Sequence, residues 1–330
     1  MQWTEETVSH SFARIVAATA ITFFVAGAAR AQPVSIGTSP AGSLNHSLGN
    51  ALGKVLGDVG NLQVRVIPYG GGQKILPAID SGSFDLMISS ASDAWFAYNG
   101  KEELEGKPTK KLRVIGVTFP YYLAWFVRKD SPYQTIADLK GKKVAIGYNG
   151  SISQRRSVLS QMAAFGLTEA DFDGVQVPHV VRGADDLAQG KVEATSFAVG
   201  AGKVAEVNAK VGGIRYLDFE NTPEALARMR QVMPAAGIRL IQPDPAYVGI
   251  LKPTLVQTEP YMVVAGAHVS DEIAYKVAKV LYENREDLAK VASAFKRYEP
   301  NELTTDHELP FHPGAIRLYK EKGAWQADRK

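Results

Sequence analysis

Two polar loops, each between a predicted strand and a predicted helix, carry the side chains best suited to hold a small molecule. The first lies in GTSPAGSLNH (residues 37–46) and the second in IGYNGSISQRRS (residues 146–157). The first N–H groups of a helix lack partners within the helix, and the helix dipole is positive at that end, so such loops often face a phosphate or a carboxylate. A simpler interpretation is that serines such as Ser43 and Ser151 only cap their helices.

Arginine and aromatic residues accompany these loops. Arg155 and Arg156 fall just inside the predicted second helix, where a guanidinium could bind a carboxylate through two hydrogen bonds. Adjacent helical residues point about 100° apart, so at most one of them should face a cleft, and we assign this role to Arg155. Aromatic side chains that could form the walls of a site are Tyr69, Trp95, Tyr121, Tyr122 and Tyr148, with core packing the better explanation for Trp95.

The chain lacks the residue patterns of the common enzyme classes. It contains no cysteine, which excludes disulfides, thiol catalysis and a lipid anchor on cysteine. Its glycine spacings match neither a nucleotide-binding loop nor a serine nucleophile elbow. The stretch DHELPFH (residues 306–312) contains possible metal ligands, but a polar loop that caps the last helix explains it better. We therefore predict no enzymatic activity, no cofactor and no metal ion.

The charge distribution gives no indication of a nucleic-acid partner. The formal net charge is +3, and the lysines and arginines are scattered along the chain. A nucleic-acid binder would more often show a concentrated basic stripe. We expect a small-molecule partner instead.

The N-terminal segment is typical of a secretory signal peptide. Arg14 precedes the apolar run IVAATAITFFVAGAA, which ends at Ala-Arg-Ala (residues 29–31). The run is short for a membrane span and has the small-residue exit of a cleavage site, although Glu5 and Glu6 are unusual in such a segment. An uncleaved anchor is the alternative. An exported chain without disulfides fits a bacterial periplasm, so we predict that residues 1–31 are removed and that the mature protein is periplasmic.

The remaining sequence alternates between strand and helix patterns and predicts an α/β fold. After the strand VSI, the apolar residues of the first helix recur at near-helical spacing, at Leu44, Leu48, Leu52, Val55 and Leu56. LRVIGVTF and YYLAWFVRK predict two further strands, and Thr222 before Pro223 predicts a helix cap. Two α/β units of this kind suggest two lobes. Because ligands of open α/β sheets bind outside the carboxyl ends of strands, the two polar loops could face each other across a cleft.

Four longer stretches resemble the TAXI family, the solute-binding proteins of tripartite ATP-independent periplasmic (TRAP) transporters. They are GTSPAGSLNHSLGNALGKVL, VRKDSPYQTIADLKGKKVAIGYNGS, EVNAKVGGIRYL and FHPGAIRLYKEKGAW. The resemblance implies a type II periplasmic-binding-protein fold with a central mixed sheet in each lobe, an interlobe cleft, and crossovers near WFVRKD and TEPYMVVA. We predict lobe 1 at residues 32–127 and 257–330, and lobe 2 at residues 128–256.

The resemblance also implies a function and a set of binding residues. It implies capture of a small organic anion (a carboxylate, dicarboxylate or amino acid) by lobe closure, and delivery to TRAP membrane subunits; we expect a monomer. The family loops carry over to Thr38, Ser39, Ser43, Asn45, Ser89, Ser90, Ser92, Asn149, Ser151 and Ser153. To these the residue analysis adds Tyr69, Tyr121, Tyr148 and Arg155. TSPAGS and NGSIS are bulkier than the glycine-rich runs frequent in the family, which bears on the identity of the ligand.

Two other functions remain open from the sequence. The same scaffold could carry an enzyme acting on small acids, although no nucleophile–base pair stands out. It could also be a surface adhesin or immunogen without a ligand, in which case large apolar side chains should fill the cleft.

Overall fold

The computed structural model of the protein describes residues 33–326. The predicted signal peptide, residues 1–31, lies outside this range. Within the range, no helix combines the length and the apolar character needed to cross a membrane.

Strands account for much of the buried centre of the chain. They are β1 (Val34–Thr38), β2 (Val64–Pro68), β3 (Leu86–Ser90), β4 (Leu112–Arg128), β5 (Lys143–Gly147), β6 (Asp173–Val177), β7 (Ala194–Ala198), β8 (Ile214–Tyr216), β9 (Gly237–Ile241) and β10 (Thr254–Gly266). The prediction of two strands between residues 112 and 129 was wrong, because β4 runs through that region as one strand of 17 residues. Strands β3 and β7 are buried at all five positions, as expected for strands covered on both faces.

The helices connect these strands and cover the sheet. They are α1 (Leu44–Asp58), α2 (Gly72–Asp80), α3 (Ala91–Asn99), α4 (Ile152–Ala164), α5 (Val180–Ala188), α6 (Gly202–Lys210), α7 (Pro223–Val232), α8 (Asp271–Glu283), α9 (Arg285–Val291) and α10 (Pro313–Glu321). All five predicted apolar positions of α1 are buried. The predicted cap of α7 is confirmed, since the Thr222 side chain accepts a hydrogen bond from the Ala225 N–H and Pro223 opens the helix.

The strands form one mixed sheet in the order β2-β1-β3-β10-β4-β7-β5-β6, with β8 beside β4 and β9 beside β10. Strands β1, β2 and β3 are mutually parallel, as are β5, β6 and β7. The long strands β4 and β10 run antiparallel to their neighbours. The sheet therefore has a first group (β1–β3) and a second group (β5–β9), joined through two long strands.

Both long strands carry a proline where they pass between the groups. Pro120 of β4 is paired with Pro260 of β10, and the register shifts directly after this pair. Proline has no N–H to donate, so a ladder with two facing prolines is weakened locally. Strand β4 pairs with β7 from Leu123 onward, and β10 pairs with β3 from Tyr261 onward. The predicted lobe boundary at residues 127 and 128 falls at the end of β4, and the division into lobes stays a prediction.

Candidate ligand-binding site

A cavity lies where the two strand groups meet, and we call it the cleft cavity. It is bordered by the segments that follow β1, β2, β3, β5 and β6, by the end of β7, and by the long strands β4 and β10. The volume within which the centre of a water molecule can move inside this cavity is about 60 Å³. One water needs roughly 10–15 Å³ of such space, so the cavity suits a small ligand that replaces roughly four to six waters.

Five helices begin at the cavity, because Gly72, the first residue of α2, also lines it. The starts of α1, α2 and α3 belong to the first group, and those of α4 and α5 to the second. Ser43 Oγ accepts from the His46 N–H at 3.1 Å, and Ser90 Oγ accepts from the Asp93 N–H at 3.1 Å. Ser151, by contrast, makes no such capping bond to α4 within the described chain. The first N–H groups of α4 are therefore free of a side-chain cap at an end where the dipole favours an anion.

Eight of the fourteen predicted binding residues line the cleft cavity. They are Ser39, Ser43, Asn45, Ser89, Ser90, Tyr121, Ser151 and Ser153. Their side chains are hydroxyl, amide and phenol groups, which can all donate hydrogen bonds to an anion. The two polar loops singled out from the sequence thus meet in one place.

Asn45 fixes the first of these loops. Its Oδ1 accepts from the Ser39 N–H at 2.8 Å, and its Nδ2 donates to the Ile88 carbonyl at 2.5 Å. Asn45 is only 4% exposed, so it makes both hydrogen bonds largely shielded from water. The bond to Ile88 ties the start of α1 to the neighbouring strand β3.

Replacing Asn45 with alanine should lower the free energy of unfolding by about 2–4 kcal/mol, because two buried backbone groups would lose their partner. Chemical denaturation of the mature chain measures this change. Ser47→Ala is the matched control on the same helix: its hydroxyl only bonds back to the Ser43 carbonyl at 3.3 Å, so we expect a change within about 0.5 kcal/mol. Equal effects of the two substitutions would contradict the role given to Asn45.

The structure places six predicted residues away from the cleft cavity: Thr38, Tyr69, Ser92, Tyr148, Asn149 and Arg155. Thr38 is buried beneath the first loop, where its hydroxyl meets His46 Nδ1 at 2.9 Å. Ser92 lies on α3 and borders a separate crevice beside Trp95. Asn149 and Tyr69 are exposed, and the Tyr69 ring packs on Phe84 at 5.4 Å.

Tyr148 belongs to the core. Its backbone has a φ of +46°, and the fully buried side chain contacts Ala145 and Thr195 through its hydroxyl. A non-glycine residue in the left-handed region is uncommon, and no pattern in the sequence indicates it. The aromatic wall of the cavity is instead formed by Tyr121, whose ring stacks on Tyr261 at 4.2 Å.

The two adjacent arginines have different surroundings, and the choice of Arg155 finds no support in the geometry. Arg155 is 46% exposed and pairs with Glu169 at 2.9 Å. Arg156 is 7% exposed, pairs with Asp93 at 3.1 Å and lies 4.3 Å above the Phe96 ring. Because Asp93 is on α3 and Arg156 on α4, this ion pair joins the two strand groups beside the cavity.

Other contacts also hold the two groups together. Gln73 Nε2 donates to the Gly150 carbonyl at 2.9 Å, and the Lys203 N–H donates to the Gly42 carbonyl at 3.2 Å. Each bond joins an element next to the first group to one next to the second. In the described conformation, the two strand groups are therefore in direct contact beside the cavity.

Two carboxyl groups line the cavity, and neither was among the predicted binding residues. Asp93 is compensated by Arg156. Glu259 on β10 is 4% exposed. Burial, and next the nearby Asp93 carboxylate, raise the pKa of the Glu259 carboxyl from 4.5 to about 8. The group is therefore largely neutral at pH 7.

The prediction missed thirteen lining residues: Pro40, Leu44, Gly72, Met87, Asp93, Gln154, Ser157, His179, Val180, Phe197, Ala198, Glu259 and Tyr261. Glu259 could have been predicted from the sequence, because it is the one acidic residue in the otherwise uncharged strand TLVQTEPYMVVAG. Phe197 and Ala198 could not have been predicted, because in the sequence they look like any core residues of a buried strand. Among residues 33–326, no group of three or more potential metal ligands occurs.

Residues 36–323 match the NMT1-like family. The chain belongs to this family. PhnD1 of Prochlorococcus marinus, solved in complex with methylphosphonate, is similar to this NMT1-like protein with a TM-score of 0.52 and 12% identity over 88% of this chain and 98% of PhnD1. The likeness confirms the predicted α/β type II periplasmic-binding-protein fold.

Two further solved structures are similar at lower TM-scores. The periplasmic aliphatic sulphonate binding protein SsuA of Escherichia coli has a TM-score of 0.47 and 19% identity, covering 88% of this chain and 90% of SsuA. The amino acid ABC transporter substrate-binding protein AbpA of Streptococcus pneumoniae, bound to L-arginine, has a TM-score of 0.46 and 19% identity, covering 80% and 95% of the two chains.

Proposed function

We propose that this NMT1-like protein is an extracytoplasmic receptor that captures a small organic anion in the cleft cavity and delivers it to a membrane transporter. The observation that carries the proposal is the convergence of five helix starts, from both strand groups, on one small cavity. Their positive ends favour an anion, and the hydroxyls of the loops can donate hydrogen bonds to it. PhnD1, which has the same fold, was solved with methylphosphonate, itself a small anion.

The proposed partner is the pair of TRAP membrane subunits, and its support is the resemblance of four sequence stretches to the TAXI family. Reconstituted with TRAP membrane subunits in lipid vesicles, the mature protein should support solute uptake that needs an ion gradient and no ATP. Uptake that requires ATP hydrolysis would assign the protein to an ABC transporter instead. The signal peptide at residues 1–31 and the periplasmic location are part of the same proposal.

A thermal-shift screen of residues 32–330 tests the receptor function. A ligand at a hundredfold excess over its Kd stabilises the folded state by about 2.7 kcal/mol, which raises the melting temperature measurably. The panel contains short monocarboxylates, C4–C6 dicarboxylates, amino acids, aromatic acids and neutral sugars. We expect a shift with one class of anion, and mass spectrometry of the denatured protein checks for a ligand that co-purified.

The same screen separates the two alternatives. An enzyme acting on small acids would convert the bound compound, so the bound anion is recovered after long incubation and compared with the starting material. An adhesin without a ligand would show no shift with any compound and no co-purified molecule.

Ligand binding should also make the protein more compact. A ligand that touches both strand groups adds differential affinity for a conformation in which the cleft is closed. Small-angle X-ray scattering with and without the anion found in the screen should show a smaller radius of gyration with ligand. An unchanged radius with a ligand proven to bind would contradict capture by closure.

A further inference from the structure

Glu259 has no evident task in the fold. It sits on β10 next to Pro260, where the strand passes between the two groups, and it lines the cleft cavity. In the described part of the chain, its buried Oε2 atom has no hydrogen bond of good geometry, and the nearby Ser92 and Ser90 side chains only partly offset the rise of the carboxyl pKa. A buried polar atom without a partner is unfavourable, and such atoms usually have a role.

We propose that Glu259 recognises the ligand in its protonated form, so that the carboxyl O–H donates a hydrogen bond to the ligand anion and the two are bound together with one proton. This inference rests on the proposed function as a receptor for a small anion, and it makes Glu259 a specificity-determining residue. Ligands with an anionic acceptor oxygen at this position would be bound, and ligands with an ammonium group there would not.

The chemistry of the cavity favours the protonated form. An ionised Glu259 would place a second negative charge against the bound anion in a site of low dielectric constant, where like charges repel strongly. A neutral carboxyl group avoids this repulsion and gives one more donor to a cavity already lined by donors. Ketosteroid isomerase offers a chemical precedent, because an aspartate in its oxyanion hole is kept neutral by an apolar site and donates a hydrogen bond.

The charged and titratable groups around Glu259 do not supply a free cation in the cavity. Within residues 33–326 they are Tyr261 on its own strand, Tyr121 on β4, Asp93 on α3, Arg156 on α4, His179 at the start of α5 and, in a crevice on its other side, Arg230, Arg239, Glu302 and His307. The Nδ1 atom of His179 accepts a hydrogen bond from the Arg182 N–H, as an uncharged imidazole does. Burial raises the pKa of both tyrosines, which therefore stay neutral. Arg156 already pairs with Asp93. Arg230 and Arg239 are exposed, so water screens their charges.

Isothermal titration calorimetry at pH 6, 7.5 and 9, in buffers with different protonation enthalpies, tests the inference. The probes are lactate, succinate and L-glutamate. For the wild type we expect binding to take up close to one proton at pH 9 and few protons at pH 6. Its affinity for the anion should fall about tenfold per pH unit above the pH at which Glu259 ionises. Glu259→Gln carries a permanent donor, so it should take up no proton and bind the anion tenfold or more tightly than wild type at pH 9.

Glu299→Gln is the matched control. The Glu299 side chain is 67% exposed and pairs with Arg285, so this variant should keep the proton uptake of the wild type. Two results would overturn the inference: binding that strengthens as the pH rises, or a Glu259→Gln variant that loses its affinity at pH 6. Either result would show that Glu259 is ionised and pairs with a cationic group of the ligand. Binding without proton uptake at pH 9 would overturn it too, with the receptor function intact. If no probe binds at any pH to any of the three proteins, and the thermal-shift screen also shows no anion that binds, the receptor function fails and the inference with it.

Discussion

Arg156→Ala should weaken ligand binding by roughly 30- to 1,000-fold. In the described conformation the Asp93 carboxylate is 12% exposed and the Arg156 guanidinium 7%. Truncating one partner of a buried charge pair costs about 2–4 kcal/mol, because the other charge stays buried without compensation. In an open cleft Asp93 would be hydrated and would need no partner. We therefore expect the substitution to destabilise the closed conformation in particular, and so to lower the affinity for the ligand. Titration calorimetry with the anion found in the screen measures it.

Arg155→Ala is the matched control at the neighbouring position. Its guanidinium is 46% exposed and pairs with Glu169 at the surface, and such pairs contribute about 0–1 kcal/mol. We expect its affinity to stay within about threefold of the wild type. If Arg155→Ala weakened binding more than Arg156→Ala, the sequence-based choice of Arg155 would be restored and the assignment of Arg156 withdrawn.

A double-mutant cycle shows whether the effect of Arg156 acts through Asp93. Asp93→Asn removes the charge that Arg156→Ala leaves uncompensated, so the double variant should regain part of the lost affinity. Additive losses would place the effect elsewhere. Circular dichroism of each variant establishes that the fold is retained before affinities are compared.

Glu259→Gln should change how stability depends on pH. The pKa of the carboxyl in the folded protein is raised to about 8, above its value in the unfolded chain. Between about pH 5 and pH 8 the folded state therefore holds a proton that the unfolded state has released. As the pH rises through this range, the folded state gradually loses that advantage. The free energy of unfolding of the wild type therefore falls by up to about 1.4 kcal/mol per pH unit. Its stabilising contribution is complete below about pH 4 and lost by about pH 8.

The variant lacks this group, so its stability relative to the wild type should increase with pH. We expect a relative gain of about 2–4 kcal/mol between pH 5 and pH 8. Urea denaturation at several pH values without ligand measures both curves, and Glu299→Gln, with its exposed carboxylate, should follow the wild type. Parallel curves for Glu259→Gln and the wild type would show that Glu259 is ionised in the fold, which would also remove the basis of proton-linked binding.

Local features of this chain could be read from the sequence because they depend on neighbours only a few residues away. The buried face of α1 follows from the spacing of its leucines, and the start of α7 from Thr222 and Pro223. The α/β alternation predicts parallel strands whose carboxyl ends share one edge. For that reason the sequence predicts that the loops after β1 and β5 face one site, and eight of the predicted residues line the cleft cavity.

The tertiary structure alone decided which side chains enter the cavity. Arg155 and Arg156 differ by a rotation about the α4 axis, and only the position of Asp93 on α3, 63 residues away from Arg156, identifies the inner one. Tyr148 turns into the core through its φ of +46°, which no spacing rule indicates. Glu259 reaches the cavity from a strand more than a hundred residues beyond either loop. Such contacts depend on how distant segments pack together, and the periodicity of a sequence carries information only about the conformation within each segment.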